Sequence, residues 1–493
     1  MDAEQGTMEV APAPVPLAAF PTRRYFWALA ILFAILLLAP IRRGDLPGYD
    51  DARWSVIAKD LAHTHHWLDI RYDGGAAMEH PPLFSWIQAA FFLAFGLSDP
   101  VAKLPTALCG LGVILLVYWL VRKLTDDSFV ALLAMFVMAT TLYFIKYCAR
   151  AMTDVPFTLF VLAAVCAWIL AEEKPVWYLA AGLFTAMALM TREMMGFALP
   201  TLFVLDAAAT RRRPSARYWA PSLAIAFLPA TLWYARWISI YGHQFFDIHS
   251  TFLSNEVYGP LSPSWRRYTG AFEYIWMVSK SYWPWLPFMI VGLTIVIRRR
   301  DRRFTLIAIW IAVVFALCAV TKSRVLRYML PAYPAFAACA AIGLVQVVRE
   351  RYLRSALRIL IPILGVVVIG VALFPPVTWH AMEIRPIAAA ATAATNPKEL
   401  ISFYDEGQPR IDEMNQMLWY GDRLIVLLFD RNMLTEALRE PRSRIFVVDR
   451  AAYRDYIDSQ IANQVILESG DLICFRLCGA EGSGCEGSPV SKR

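Results

Sequence analysis

The sequence predicts an α-helical polytopic membrane protein with about 11 transmembrane helices and a small α/β domain at its C-terminal end. Three observations carry that expectation. The 493 residues are 58% hydrophobic against 18% charged, with a mean hydropathy of +0.47, whereas a water-soluble domain carries about 45–50% apolar and about 25% charged residues. The apolar residues gather into runs long enough to cross roughly 30 Å of hydrocarbon. The basic residues fall in alternate connections between those runs. Together these features exclude an ordinary soluble enzyme, a disordered chain and a disulfide-stapled secreted domain. The formal net charge of +7 reflects topology, and no nucleic-acid partner is expected.

Residues 1–24 are rich in Pro and Ala and lack helical periodicity, so they are expected to form a disordered cytoplasmic leader. No small-residue cleavage site follows the first apolar run, which reads as a signal anchor. A membrane domain spans 25–374 and a C-terminal domain spans 375–493. The expected spans are Tyr25–Ile41, Ala102–Val121, Val130–Lys146, Val155–Ala171, Val176–Met190, Met194–Ala209, Tyr218–Ile240, Ser281–Ile297, Phe304–Thr321, Tyr328–Val348 and Leu357–Phe374. The fifth and sixth are short, with Thr191-Arg192-Glu193 between them. With the N-terminus in the cytoplasm, the cytoplasmic connections carry Arg23-Arg24, Arg122-Lys123, Lys174, Arg211-Arg212-Arg213, Arg298-Arg299-Arg300 and then Arg349, Arg351, Arg354 and Arg358. This alternation is what the positive-inside rule requires.

The other side receives a first loop over 42–101, a second large loop over 241–280, and the C-terminal domain. In the first loop Trp54, Ile57, Ala58 and Leu61 fall on one helical face, which predicts an amphipathic helix over Asp51–His66 along the membrane interface. Pro82–Gly96 is apolar but short, and reads as a second juxtamembrane helix. The C-terminal domain shows β-like runs at Leu424–Phe429, Ile445–Val448 and Leu472–Leu477 between helical stretches. Cys474, Cys478 and Cys485 cluster there, and an oxidising compartment would allow one disulfide among them. The remaining cysteines lie in or beside apolar runs and read as small core residues.

Ionisable residues clustered at one membrane face are a functional signal, because burying charge there is costly. Asp50 and Asp51 follow the first span and precede Arg53. Helix capping accounts for one carboxylate but not for two. Asp154, before the fourth span with Pro156 behind it, also fits a cap. Two carboxylates facing one cavity could equally serve as general base and as acceptor or metal ligand. Glu79-His80-Pro81-Pro82 makes a rigid turn at the same face. Lys322, Arg324 and Arg327 break the positive-inside pattern, and phosphate suits them because Lys and Arg bind it through charge-assisted hydrogen bonds. All seven His fall outside the cytoplasm, yet His63, His65 and His66 have no metal-ligand spacing, so no zinc site is assigned. No Walker-type Gly loop, Gly-x-Ser-x-Gly elbow or His-Glu-x-x-His is present.

These residues, in this order, resemble the GT-C membrane glycosyltransferases of the protein O-mannosyltransferase and lipid A aminoarabinose transferase superfamily. Asp50-Asp51-Ala52-Arg53-Trp54 is similar to that family's Asp-Glu-Ala-Arg-Tyr, with Asp50 at the catalytic position. Trp67-Leu68 and Glu79-His80-Pro81-Pro82-Leu83 resemble its Trp-Leu and Glu-Lys-Pro-Pro-Leu stretch, with His80 in place of the usual Lys. Ala149-Arg150 through Asp154-Val155-Pro156 resembles the second-aspartate motif. Thr191-Arg192-Glu193 sits where the family often has Thr-Lys-Gly. His249 corresponds to a loop His before the Pro-Trp segment, here Pro284-Trp285. Lys322 to Tyr328 with Leu330-Pro331 and Tyr333-Pro334 resembles the family's Lys…Tyr-x-Leu-Pro-x-Tyr-Pro. The match runs in register over about residues 25–340.

The resemblance implies an inverting glycosyltransferase that moves a sugar from a polyprenyl-phosphate-linked donor to a periplasmic acceptor at the outer face of a bacterial inner membrane. Asp50 and Asp154 would be catalytic. Arg53, Lys322, Arg324 and Arg327 would bind the donor phosphate. Asp51, Glu79, His80, Tyr328 and His249 would position substrates, with a divalent cation such as Mg or Mn as a further occupant of the carboxylates. The acceptor would be lipid A, another envelope glycan or glycolipid, or a protein. A transporter or flippase of a lipid-linked sugar could use the same charges, but it should carry internal repeats and mid-span ionisable groups, and the two halves of this chain show no convincing similarity.

Overall fold

A computed structural model describes residues 20–78, 80–253, 270–299, 301–321, 324–374, 381–396, 398–404, 411–439, 444–458 and 461–478. Expectations for the leader before residue 20, Glu79, Lys322, His380 and Cys485 fall outside them.

Each expected span falls on a helix. In chain order the helical scaffold begins with α1 (Thr22–Leu38), α2 (Arg53–Thr64), the short hairpin β1 (Arg71–Tyr72) and β2 (Gly75–Ala76), α3 (Leu83–Phe95) and α4 (Asp99–Thr125). It continues with α5 (Ser128–Ala139), α6 (Leu142–Cys148), α7 (Asp154–Leu170), α8 (Trp177–Leu189), α9 (Glu193–Gly196) and α10 (Ala198–Ala209). Then come α11 (Ala216–Tyr241), α12 (His243–Leu253), α13 (Gly270–Ser281), α14 (Leu286–Arg299), α15 (Arg302–Val320), α16 (Tyr333–Val347) and α17 (Glu350–Leu373).

Among the described residues six helices are long and apolar enough to cross a membrane. They are α1, α4, α11, α15, α16 with the 3₁₀ turn before it, and α17. The other expected spans are shorter or broken. α5 and α6 form one bent pair, turning by 65° at Thr140 and Thr141. α7 and α8 are short apolar helices, α9 breaks from α10 after Gly196, and α14 has 14 residues. α5 and most of α7 are buried in the protein itself, so they do not need the full length that a lipid-facing helix requires. α2 and α3 fall within the two helices expected in the first loop, Asp51–His66 and Pro82–Gly96.

The basic connections gather at one end of the bundle and interlock. Lys123 pairs with Glu173, Arg212 with Glu172 at 3.3 Å, and Arg303 with Asp126 at 2.9 Å. Arg354 lies over the rings of Phe20 and Phe129.

The C-terminal domain comprises α18 (Ile384–Ala393), β3 (Ile401–Tyr404), α19 (Ile411–Tyr420), β4 (Ile425–Leu428), α20 (Arg431–Arg439), β5 (Ile445–Asp449), α21 (Arg450–Tyr456), β6 (Asn463–Ser469) and β7 (Leu472–Leu477). The strands form one sheet ordered β4-β3-β5-β7-β6, with parallel pairs on one side and antiparallel pairs on the other. β3 and β6 were not legible in the sequence: all four β3 residues are buried, so it shows no alternation, and β6 is half-buried and irregular at Val465–Leu467.

This domain docks on the first loop through a shared core. Ile387, Ala388, Met417 and Leu418 pack in one cluster with Ile57, Leu61 and Ile70 from that loop and Trp233 and Trp237 of α11. Cys478 is disulfide-bonded, while Cys474 is a buried free thiol whose burial pushes its pKa up to about 12.

Candidate active site

The chain leaves α1, turns through residues 40–47 and enters a π-helical turn, Gly48–Ala52, that runs directly into α2. π turns are rare and concentrate at functional sites, because the extra residue re-aims a side chain. Here the turn splits the acidic pair. Asp51 points inward, is fully buried, and receives both Nε of Arg150 at 2.8 Å and the backbone N–H of Ala151 at 2.8 Å. Burial disfavours the charged Arg150, but the hydrogen bonds and negative charge of Asp51 outweigh it and raise the guanidinium above its usual pKa. Asp50 points the other way, partly exposed, into a cavity of about 170 Å³.

Arg327 closes one side of this cavity. Its Nη2 lies 2.7 Å from Oδ2 of Asp50 and its Nε 4.0 Å from Oδ1 of Asp154. Arg192 reaches the same Asp154 oxygen at 3.2 Å, donates to the Thr153 hydroxyl at 2.9 Å and lies over the Tyr328 ring. Asp154 itself is buried behind the two guanidinium groups and does not line the cavity. Its Oδ2 has no hydrogen-bond partner among the described residues. The two predicted carboxylates therefore converge through one shared arginine, with different exposures. Arg53 enters from the first turn of α2, with its guanidinium over Tyr72. His80 sits beside Trp54, with Nδ1 3.5 Å from Glu193.

Five residues expected at the site line this cavity: Asp50, Arg53, His80, Arg327 and Tyr328. Three others are placed differently. Asp51 is a buried partner of Arg150 rather than a group that could position substrate. Arg324 pairs with Glu273 of α13 and does not line this cavity. His249 stacks on Phe245 at 4.2 Å and meets Tyr234 edge-on, also outside the lining.

Arg192 and Glu193 also line the cavity, beyond the site residues that the sequence suggested. An Arg-Glu pair between two short apolar runs was the available signal. Among the described residues no group of three His, Cys, Asp or Glu side chains could hold a metal ion. The group that stands between Asp50 and Asp154 is the Arg327 guanidinium.

The tertiary surprise is α19. Asn415 donates to the carbonyl of Tyr49 at 2.8 Å, Gln416 donates to the carbonyl of Leu46 at 2.9 Å, and the Leu46 N–H donates to the Tyr420 hydroxyl at 2.9 Å. Lys59 donates to the carbonyls of Leu418, Trp419 and Gly421 at the end of the same helix. The C-terminal domain thus grips the backbone of the turn that carries Asp50. Close approach requires Gly48, where any Cβ would overlap Asp412. Burial, with the charge of Asp50 adding to it, raises the carboxyl pKa of Asp412.

The chain is thus an apolar bundle that carries two carboxylates and several arginines at one end, beneath an appended α/β domain. Residues 79–234 match the family model described as dolichyl-phosphate-mannose-protein mannosyltransferase. The fold matches the crystal structure of ArnT from Cupriavidus metallidurans bound to undecaprenyl phosphate, with a TM-score of 0.74 at 16% identity over 95% of this chain and 100% of that one. It also matches the archaeal oligosaccharyltransferase AglB from Archaeoglobus fulgidus, with a TM-score of 0.56 at 12% identity over 88% and 70% of the two chains.

In sequence the chain is 27% identical over 352 residues to the undecaprenyl phosphate-α-4-amino-4-deoxy-L-arabinose arabinosyl transferase of Pectobacterium atrosepticum, covering 66% of this chain and 60% of that protein. It is 23% identical over 289 residues to an uncharacterized protein of Aquifex aeolicus, covering 58% and 56%. These matches span about half to three-fifths of the relatives' own length. The chain thus has the GT-C fold, is similar over part of its length to protein O-mannosyltransferases and aminoarabinose transferases, and is a multi-pass protein of the bacterial inner membrane.

Proposed function

We propose that the protein transfers a sugar from a polyprenyl-phosphate-linked donor to a hydroxyl-bearing acceptor of the cell envelope, with inversion at the sugar. The observation that carries this reading is the Asp50–Arg327–Asp154 arrangement at the cavity, an exposed carboxylate and a buried one sharing a guanidinium. In the reaction the acceptor oxygen bonds to the sugar C1 as its proton passes to the carboxylate of Asp50. The bond from C1 to the phosphate oxygen breaks, and the lipid phosphate leaves with the electron pair. Arg53, Arg192 and Arg327 face the cavity as cations for the charge that develops on that phosphate. Asp154 is a positioning residue that holds Arg192 and Arg327 without touching substrate.

Several features support placing the cavity and the C-terminal domain in the periplasm. The opposite end of the bundle holds the interlocked basic loops, and the disulfide at Cys478 suits an oxidising compartment. A lipid-borne donor suits such a face, which nucleotide sugars do not reach. Two of the relatives' names, and the ArnT complex, point to undecaprenyl phosphate as the carrier.

The test compares lipids that co-purify with the wild type and with Asp50→Asn, read by mass spectrometry, alongside transfer in proteoliposomes. The variant should retain a polyprenyl-phosphate-sugar that the wild type has consumed, and its turnover should fall by about 10²–10⁴-fold. Full turnover in Asp50→Asn would refute the assignment of the base. A bound, unreacted solute in both proteins, with no polyprenyl lipid, would favour transport.

A further inference from the structure

A second cavity, of about 710 Å³, lies between the start of the first loop, the α3–α4 junction and the C-terminal domain. It shares no lining residue with the cavity of Asp50, although α2 contributes to both. Four cations line it, Arg42, Arg43, Lys59 and Arg385, against one carboxylate, Asp99. Two of these five groups are committed elsewhere. The amine of Lys59 is spent on the carbonyls at the end of α19 and on Asp422 at 3.2 Å. Asp99 accepts from Trp419 at 2.7 Å and from Tyr420 at 3.2 Å. That leaves Arg42 and Arg43, both exposed, and Arg385, half-exposed over the Tyr420 ring and only 3.7 Å from Asp99.

Arg42 and Arg43 follow α1 at the end opposite to the interlocked basic loops, where the distribution of charge in a membrane protein makes arginine unexpected. Beside the cavity the end of α3 exposes Leu93, Phe95 and Leu97. A cationic cavity with an apolar lip at the end of a transmembrane helix has the shape of an amphiphile: an anion with acyl chains attached.

We propose that this cavity is a binding site for the phosphate headgroup of an anionic membrane phospholipid, seated on Arg42, Arg43 and Arg385 with its chains along Leu93, Phe95 and Leu97. Bidentate guanidinium–phosphate hydrogen bonds hold the phosphate, and the excess positive charge of the lining disfavours the ammonium group of a zwitterionic headgroup. Because Trp419 and Tyr420 line the cavity and α19 also holds the Asp50 turn, the lipid would brace the C-terminal domain at the membrane surface.

The experiment uses the full chain in nanodiscs of phosphatidylcholine doped with phosphatidylglycerol, with retained lipid counted by native mass spectrometry. Wild type should retain phosphatidylglycerol. The Arg42→Ala/Arg43→Ala double variant and Arg385→Ala should each lose about tenfold in retention, the scale of one charge-assisted hydrogen bond. Arg299→Ala, at the other end of the bundle, should retain it. Equal retention by wild type and the two cavity variants would overturn the site, as would equal loss in Arg299→Ala. In discs of pure phosphatidylcholine, binding of inorganic phosphate that the cavity variants abolish, together with ready displacement of phosphatidylglycerol by millimolar phosphate, would overturn the lipid assignment in favour of a soluble anion.

Discussion

At the scale of single residues, the acidic pair shows how one turn assigns two roles. Asp51, fully buried, and Arg150, partly exposed, form an ion pair whose members lie about a hundred positions apart in sequence. Removing the partner of a buried charge costs about 3–5 kcal/mol, because that charge is left uncompensated. Arg150→Ala is therefore expected to lower the thermal midpoint in detergent sharply, whereas Asp50→Asn, at a partly exposed position, should leave it nearly unchanged while abolishing transfer. Asp60 offers a separate pH test. Burial raises its carboxyl pKa, and Oδ2 has no hydrogen-bond partner among the described residues. A carboxyl whose pKa is raised by folding penalises the folded state once pH exceeds the unfolded value of about 4. Asp60→Asn should accordingly stabilise the protein at pH 7, and the gain should vanish as pH falls to about 4. A melting series from pH 4 to 8 reads the sign.

At the scale of elements, the bundle depends on contacts that only glycine permits. A Cβ at Gly292 of α14 would overlap the Cys339 carbonyl, and one at Gly343 of α16 would overlap the Phe288 carbonyl, so the two helices cross backbone to backbone. α16 is almost wholly buried there and leads back to the turn that carries Arg327. Gly292→Val or Gly343→Val should yield little folded protein by size-exclusion chromatography. Gly370→Ala is the control: nothing lies near it, and it should be neutral or slightly stabilising. The same scale explains why span-counting from hydropathy is incomplete. α7 was legible as an apolar run, but it is almost wholly buried within the protein, so its length is not tied to bilayer thickness.

At the scale of the whole molecule, the C-terminal domain is part of the site's scaffold. Its α19 fixes the Asp50 turn through Asn415 and Gln416, and Asp73 of the first loop accepts from the Ile425 N–H of β4 at 3.0 Å. Asn415→Ala combined with Lys59→Ala should make the domain sensitive to limited proteolysis near residues 396–424 and lower kcat more than it raises KM. If the domain were only a tether, proteolysis would increase while kcat stayed constant.

The sequence by itself determined the membrane class, the position of the main apolar helical runs, two helices in the first loop and the order of the site motifs, because hydropathy, helical period and basic connections are local properties of the chain. Five of the expected site residues face the cavity for the same reason: Asp50, Arg53 and His80 sit at element boundaries, and Arg327 and Tyr328 in the turn before α16. What the tertiary structure alone decided was which of two adjacent aspartates faces the cavity, that Arg324 pairs with Glu273, that Arg192 joins Arg327 on Asp154, and that α19 holds the Asp50 turn. Each of these depends on pairing groups far apart in the chain, and such pairing is set by how burial and charge are satisfied together once the helices have packed.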